Sequence, residues 1–198
     1  MIRFVNIRFT LITFTGLFIV MFILPFYSFT NYSVLIHTTS HLGAQGSPNA
    51  WIMNSFFILI GLAFILEHSL VEKRTYYYHK LFGVLFGLGL IGSALFRNAP
   101  LVEQVQVNLL HDQLHSVFAS LTGFSFTMFA LGHVFTEKTM KIKMVSLLIV
   151  SISIGFSMII LNVQEISGII QRFMFIIAFS YSIYLFENKR LNIEVKYD

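Results

Sequence analysis

Six apolar runs, each close to the ~20 residues a helix needs to cross hydrocarbon, follow one another along the chain with only short polar breaks between them. They cover about residues 9–29, 49–70, 81–96, 111–135, 144–161 and 168–186. Lipid offers no partners for backbone N–H and C=O groups, so such runs are predicted to close their hydrogen bonds internally as helices. The predicted fold is therefore all-α: one integral-membrane domain over residues 1–198, built as a six-transmembrane-helix bundle. Tails and loops take up the remaining residues and leave no room for a separate soluble domain. Charged residues make up only 11% of the chain, too few for the surface of a soluble protein this size. The first run is too long for a signal-peptide core, and no small-x-small site follows Pro25, so it reads as a retained span.

Charge placement predicts orientation. Eleven of the 13 Lys and Arg residues lie in the N-terminal tail, the loops after spans two and four, and the C-terminal tail. They are Arg3, Arg8, Lys73, Arg74, Lys80, Lys138, Lys141, Lys143, Lys189, Arg190 and Lys196; only Arg97 and Arg172 lie elsewhere. Under the positive-inside rule this predicts N-in/C-in topology in the cytoplasmic (plasma) membrane, with Tyr76, Tyr77 and Tyr78 at the inner interface. The basic excess is thus an orientation signal rather than a nucleic-acid footprint, and no nucleic-acid partner is expected. Cysteine is absent, which excludes disulfides, thiolate metal sites and thiol nucleophiles.

Local signals refine the spans. Ser47 followed by Pro48 reads as a cap and first helical position opening span two. In span three, Gly83 and Gly87 have the four-residue spacing that lets helices approach closely. Gly87, Gly89 and Gly92 also match GxGxxG, but no strand precedes them, so they read as packing glycines.

The histidines divide by end. His68, His79 and His133 are predicted near the inner ends of spans, where Glu67 and His68 read as snorkelling or capping groups. His37, His41, His111 and His115 are predicted at the outer face, with Ser40, Asn49, Asn54, Arg97, Asn98, Asp112, Gln113, Glu165, Gln171 and Arg172. Ionisable groups near the membrane normally face a bundle interior or a water-filled cavity, which predicts a polar pocket at the outer helix ends. His111 and His115 share a helix face, and His37 and His41 repeat their spacing. A shared zinc ion held by His37, His41, His111 and His115 is one reading, with Asp112 as ligand or orienter; hydrated interfacial histidines are the other. Ser40, beside His37 and His41, is the candidate nucleophile. Asn49, Arg97 and Arg172 are candidate ligand-binding groups. Arg172 reads either as snorkelling to lipid phosphate or as pairing with Asp112 or an anionic ligand group.

The run Ser40-His41-Leu42-Gly43-Ala44-Gln45-Gly46-Ser47-Pro48-Asn49-Ala50-Trp51-Ile52-Met53-Asn54 resembles one known family, as do Phe96-Arg97-Asn98-Ala99-Pro100 and His111-Asp112-Gln113-Leu114-His115-Ser116. It is the bacterial membrane family catalogued as domain of unknown function 998. The resemblance runs from span one through span six and implies a compact six-helix bundle, but supplies no activity or catalytic residues. A chemical analogy also exists with the seven-helix intramembrane zinc hydrolases of the alkaline ceramidase and adiponectin-receptor type, whose HxxxH pair lies in the last helix rather than the fourth.

Two functional classes follow. One is an enzyme, a lipid or acyl-group hydrolase or transferase using His111, Asp112, His115 and Ser40, with zinc as the possible cofactor. The other is a non-enzymatic protein or small carrier that binds a membrane lipid, a small-molecule ligand or a partner through Arg97, Asn49 and Arg172. Oligomeric state is not legible in the chain.

Overall fold

Segments with no water around them must satisfy their own backbone, and the described part of this chain does so with helices. The computed structural model describes residues 8–71 and 77–194, and all regular structure among them is helical. The helices are α1 (Phe9–Ile23), α2 (Thr39–Leu42), α3 (Ala50–Val71), α4 (Tyr77–Leu95), α5 (Leu109–Thr136), α6 (Met140–Asn162) and α7 (Ser167–Glu194). Six of them are long and apolar enough to cross a membrane, which makes this a multi-pass membrane protein. Hydroxyl side chains are accommodated in the spans by bonding carbonyls one turn back, as Thr13 does to Phe9, Thr122 to Phe118 and Ser182 to Ala178.

Each long helix packs on its neighbours in the order α1, α3, α4, α5, α6, α7, and α7 returns to α1, closing a ring. Phenylalanines fill the centre: Phe64 lies 4.6 Å from Phe86 and 5.6 Å from Phe186, and Phe86 lies 5.8 Å from Phe179, centroid to centroid. The start of α1 and the last turns of α7 meet at one end of the bundle, where Arg8 pairs with Glu187 at 3.2 Å. This is called the terminal end below, and the opposite one the α2 end. Arg3, Lys73, Arg74, Tyr76 and Lys196 lie outside the described residues.

Glycine sets how closely α4 approaches both neighbours. A Cβ on Gly87 would lie 2.6 Å from the Gly61 carbonyl oxygen of α3, and one on Gly61 would lie equally close to Gly87. Gly83 faces the His68 ring on the same side, whereas Gly89 and Gly92 face Thr122 and Phe118 of α5. The glycines thus serve two interfaces rather than one.

Helix α3 opens differently from the sequence expectation. Ser47 is not its cap, because the Ser47 hydroxyl is buried without a partner and Pro48 occupies a turn. The first helical residue is Ala50, after Asn49 at φ 57°, a left-handed conformation that asparagine tolerates better than most residues.

Candidate functional site

At the α2 end, polar side chains reach across loops to backbone groups that the helices leave unpaired. Arg172 on the first turns of α7 has 0% exposure, and no carboxylate pairs with it among the described residues. Its Nε donates to Met21 O at the end of α1 (3.2 Å). Nη1 reaches Val34, His37 and Gly168 carbonyls (3.0, 2.9 and 2.9 Å), and Nη2 donates to the Tyr32 hydroxyl (2.8 Å). Tyr32 in turn donates toward the His37 and Thr38 carbonyls. The guanidinium therefore neither snorkels nor pairs with Asp112: its fork is occupied in holding the Tyr32–Thr38 loop against α1 and α7. Beside it, Gln171 Oε1 accepts from Thr39 N and Oγ1 at 2.8 and 2.6 Å, so its amide NH2 remains as a donor.

The loop after α4 is joined to the α2 loop by Gln45. Its Nε2 donates to the Arg97 and Asn108 carbonyls, both at 3.1 Å, and its Oε1 accepts from Asn108 N at 2.7 Å. Asn54 donates to Gly43 O at 3.0 Å. Asn49 donates to Tyr27 O at 3.3 Å, tying the start of α3 to the end of α1. Arg97 has an exposed side chain and contributes its backbone to these links.

His111 and His115 both close the end of α4. His115 Nδ1 lies 2.8 Å from Ser93 O and 2.9 Å from Phe96 O; two carbonyls can only accept, so Nδ1 carries the proton. At least one of these carbonyls belongs to the last turn of α4, which has no intrahelical donor. His111 Nδ1 accepts from Arg97 N at 3.4 Å, and Asp112 Oδ1 accepts from Ala99 N at 2.7 Å. On the other loop, His41 sits three residues after the α2 cap Thr38 and accepts its N–H at 3.0 Å, forming a capping box. His37 precedes the helix, accepts from Ser33 N at 3.0 Å, and meets His41 edge to face at 5.7 Å. Only Thr39–Leu42 is helical, so the two rings meet through a turn and not along a common helix face.

This geometry does not fit a zinc centre. His37, His41 and His111 accept backbone N–H bonds at Nδ1, which puts their protons on Nε2 and leaves neither nitrogen open to a metal, and among the described residues no three His, Asp or Glu side chains gather as a metal site. Ser40 lies one residue before His41 but faces a different space, described next.

Burial pushes the His41 pKa down to about 4, with His37, His115 and Arg172 acting in the same direction and Asp112 opposing. His37 is lowered too, by burial first and then by Arg172. Between the ordinary value of 6.5 and about 4, the unfolded chain binds a proton that folded His41 refuses. Stability should therefore fall on acidification through that window and level off below it. His41→Gln keeps an acceptor for the Thr38 N–H but cannot titrate. The expected result is a shallower fall in unfolding temperature between pH 6.5 and 4 than in wild type; parallel curves would refute the assignment.

Ser40 and Gln171 lie at one end of a cavity of about 590 Å³ bordered by α3, α4, α5, α6 and α7. Phe57, Phe86, Leu90, Phe126 and Phe175 form its apolar inner wall. Gly123, Thr127 and Met128 on α5 and Ser153, Ser157 and Ile160 on α6 form its flanks. Its rim includes Phe124, Ile154, Met158 and Leu161, all large apolar residues at least half exposed on the bundle's outer surface. The cavity therefore opens sideways between α5 and α6, toward the space that lipid occupies around a membrane bundle.

The model of one family, described as Protein of unknown function (DUF998), matches residues 13–186. The chain belongs to that family. No curated protein and no solved structure matches it. In this DUF998 member, several residues of the motifs that carry the resemblance, among them Gln45, Asn54, Asp112 and His115, help tie the α2-end loops to the helices.

Sequence reasoning missed two features of this family member. The first is the cavity wall, where Ser153 and Ser157 share a helix face on α6, as do Ser120, Gly123 and Thr127 on α5. At the terminal end, Glu67 and His68 neither snorkel nor cap at the surface, being 2% and 0% exposed. His68 stacks on Phe64 at 4.7 Å and meets Phe129 edge-on at 4.8 Å. His79 and His133 pack at 4.1 Å, and His133 Nε2 lies 3.3 Å from Lys189 Nζ.

Proposed function

We propose that this protein binds a membrane amphiphile, taking its hydrocarbon chain from the bilayer into the cavity between α5 and α6. The cavity carries the reading. Its ~590 Å³ volume and mostly apolar wall with a few polar groups match the usual character of small-molecule sites between helices. The binding class is favoured over the hydrolase because the histidines at the α2 end are occupied in capping helices and loops. We further propose that the α2 end faces outward from the cytoplasmic membrane. Among the described residues, Arg8, Lys80, Lys138, Lys141, Lys143 and Lys189 cluster toward the terminal end, which supports a cytoplasmic position for it.

Gly123 supplies the test. A Cβ there meets nothing within 4 Å and Gly123 lines the cavity, so Gly123→Leu should project its side chain into that space. A diacylglycerol and a phospholipid, each with a photoreactive group at its chain terminus, are reconstituted with the protein in liposomes, and at least one should label Phe86 and Phe126 of the inner wall in wild type. Labelling there should fall at least tenfold in Gly123→Leu, with unfolding temperature preserved. Equal labelling in both proteins would sink the reading.

A further inference from the structure

We infer that the lipid taken into this cavity has an uncharged, hydrogen-bonding head, such as the glycerol hydroxyl and ester carbonyls of a diacylglycerol, rather than a phosphate or carboxylate. The inference rests on the lipid-binding reading above and concerns only the chemistry of the occupant.

The wall decides it. Among the described residues that line the cavity, none is Lys, Arg, His, Asp or Glu. Arg172 adjoins Gln171 in sequence, but it is fully buried and directs its nitrogens to four backbone carbonyls and Tyr32, away from any occupant. An anionic head drawn inside would lose its hydration with no cation to replace it, and burial of an unpaired charge is far costlier than burial of a hydroxyl that finds a partner.

Neutral partners are present. The hydroxyls of Ser93, Thr122 and Thr127 are bonded to Gly89, Phe118 and Gly123 carbonyls of their own helices. Those of Ser40, Ser153 and Ser157 have no such bond among the described residues, and all three line the cavity. The Gln171 amide donates from the same end as Ser40, its oxygen being held by Thr39. A hydroxyl both donates and accepts, and an amide NH2 donates, so this set matches ester carbonyls and alcohol groups. Ser153 and Ser157, one turn apart on α6, extend the match along the cavity from the Ser40 and Gln171 end.

Purified protein in detergent would be loaded in parallel with dioleoylglycerol, dioleoylphosphatidylglycerol and oleate, which share one chain and differ in head group. Native mass spectrometry would report retention, with Gly123→Leu as the blocked control. The expected result is retention of dioleoylglycerol at least about tenfold above either anionic lipid, corresponding to about 1.4 kcal/mol, and its loss in Gly123→Leu. If all three are retained alike and all are lost in Gly123→Leu, the neutral-head inference fails while the cavity remains a lipid site. Preferential retention of an anionic lipid overturns the inference in the same way. If Gly123→Leu retains every lipid as wild type does, the binding reading itself fails.

Discussion

Arg172→Ala is expected to lower stability by several kcal/mol, because each buried acceptor left without its donor costs about 1–3 kcal/mol. Total stabilities are about 5–15 kcal/mol, so this loss is severe. The Met21, Val34, His37 and Gly168 carbonyls and the Tyr32 hydroxyl all lose a donor at once, within a site whose central side chain has 0% exposure. Arg172→Lys preserves charge but replaces a planar fork with a point donor, so it should fall between alanine and wild type. Unfolding in detergent can be followed through Trp51, the single tryptophan, which stands at the start of α3. An Arg172→Ala protein unfolding at the wild-type temperature would show that the guanidinium does not hold the α2-end loops.

Gly87→Ile should separate α3 from α4. Its Cβ would sit 2.6 Å from the Gly61 carbonyl oxygen and as close to Ile65 Cγ1. A backbone oxygen cannot swing aside as a side chain can, so the helices must part, and the cost should reach or exceed the ~1–3 kcal/mol typical of overpacking. Helix–helix association in lipid relies on close packing, so a lost contact is not replaced by a hydrophobic drive. Gly155→Ala is the contrast: its Cβ meets nothing within 4 Å, and alanine is the better helix former by about 1 kcal/mol. It should be neutral or stabilising under the same conditions. Equal losses for the two variants would remove the close α3–α4 approach as an explanation.

Features that depend on composition along the chain were readable from the residues. Spans of the observed helices follow the apolar runs because backbone satisfaction in lipid acts locally, turn by turn. The Gly83 and Gly87 spacing announced a close approach, although not that Gly89 and Gly92 serve a second partner. The polar residues were harder. His111 and His115 at i and i+4 suit a shared metal as well as they suit a helix cap, because the spacing places both rings on one face in either case. What separates the two is the position of Ser93 O and Phe96 O, contributed by another helix. Arg172 likewise reads equally as a snorkelling cation and as an anion's partner until the α1 end and the Tyr32–Thr38 loop are placed around it.

The cavity was hidden for the same reason. Ser153 and Ser157 become a binding wall only because α4, α5 and α7 border the same space. Residue order was sufficient for a helical membrane protein with an even number of spans, since periodicity, hydropathy and span length are properties of neighbouring residues. Which polar groups cap, which hold loops and which stay open to a ligand depended on partners far away in the chain, such as Thr39 with Gln171 or Gln45 with Asn108. A hydrogen bond across the bundle exists only when two helices arrive at one distance and angle, and that condition belongs to the packed structure.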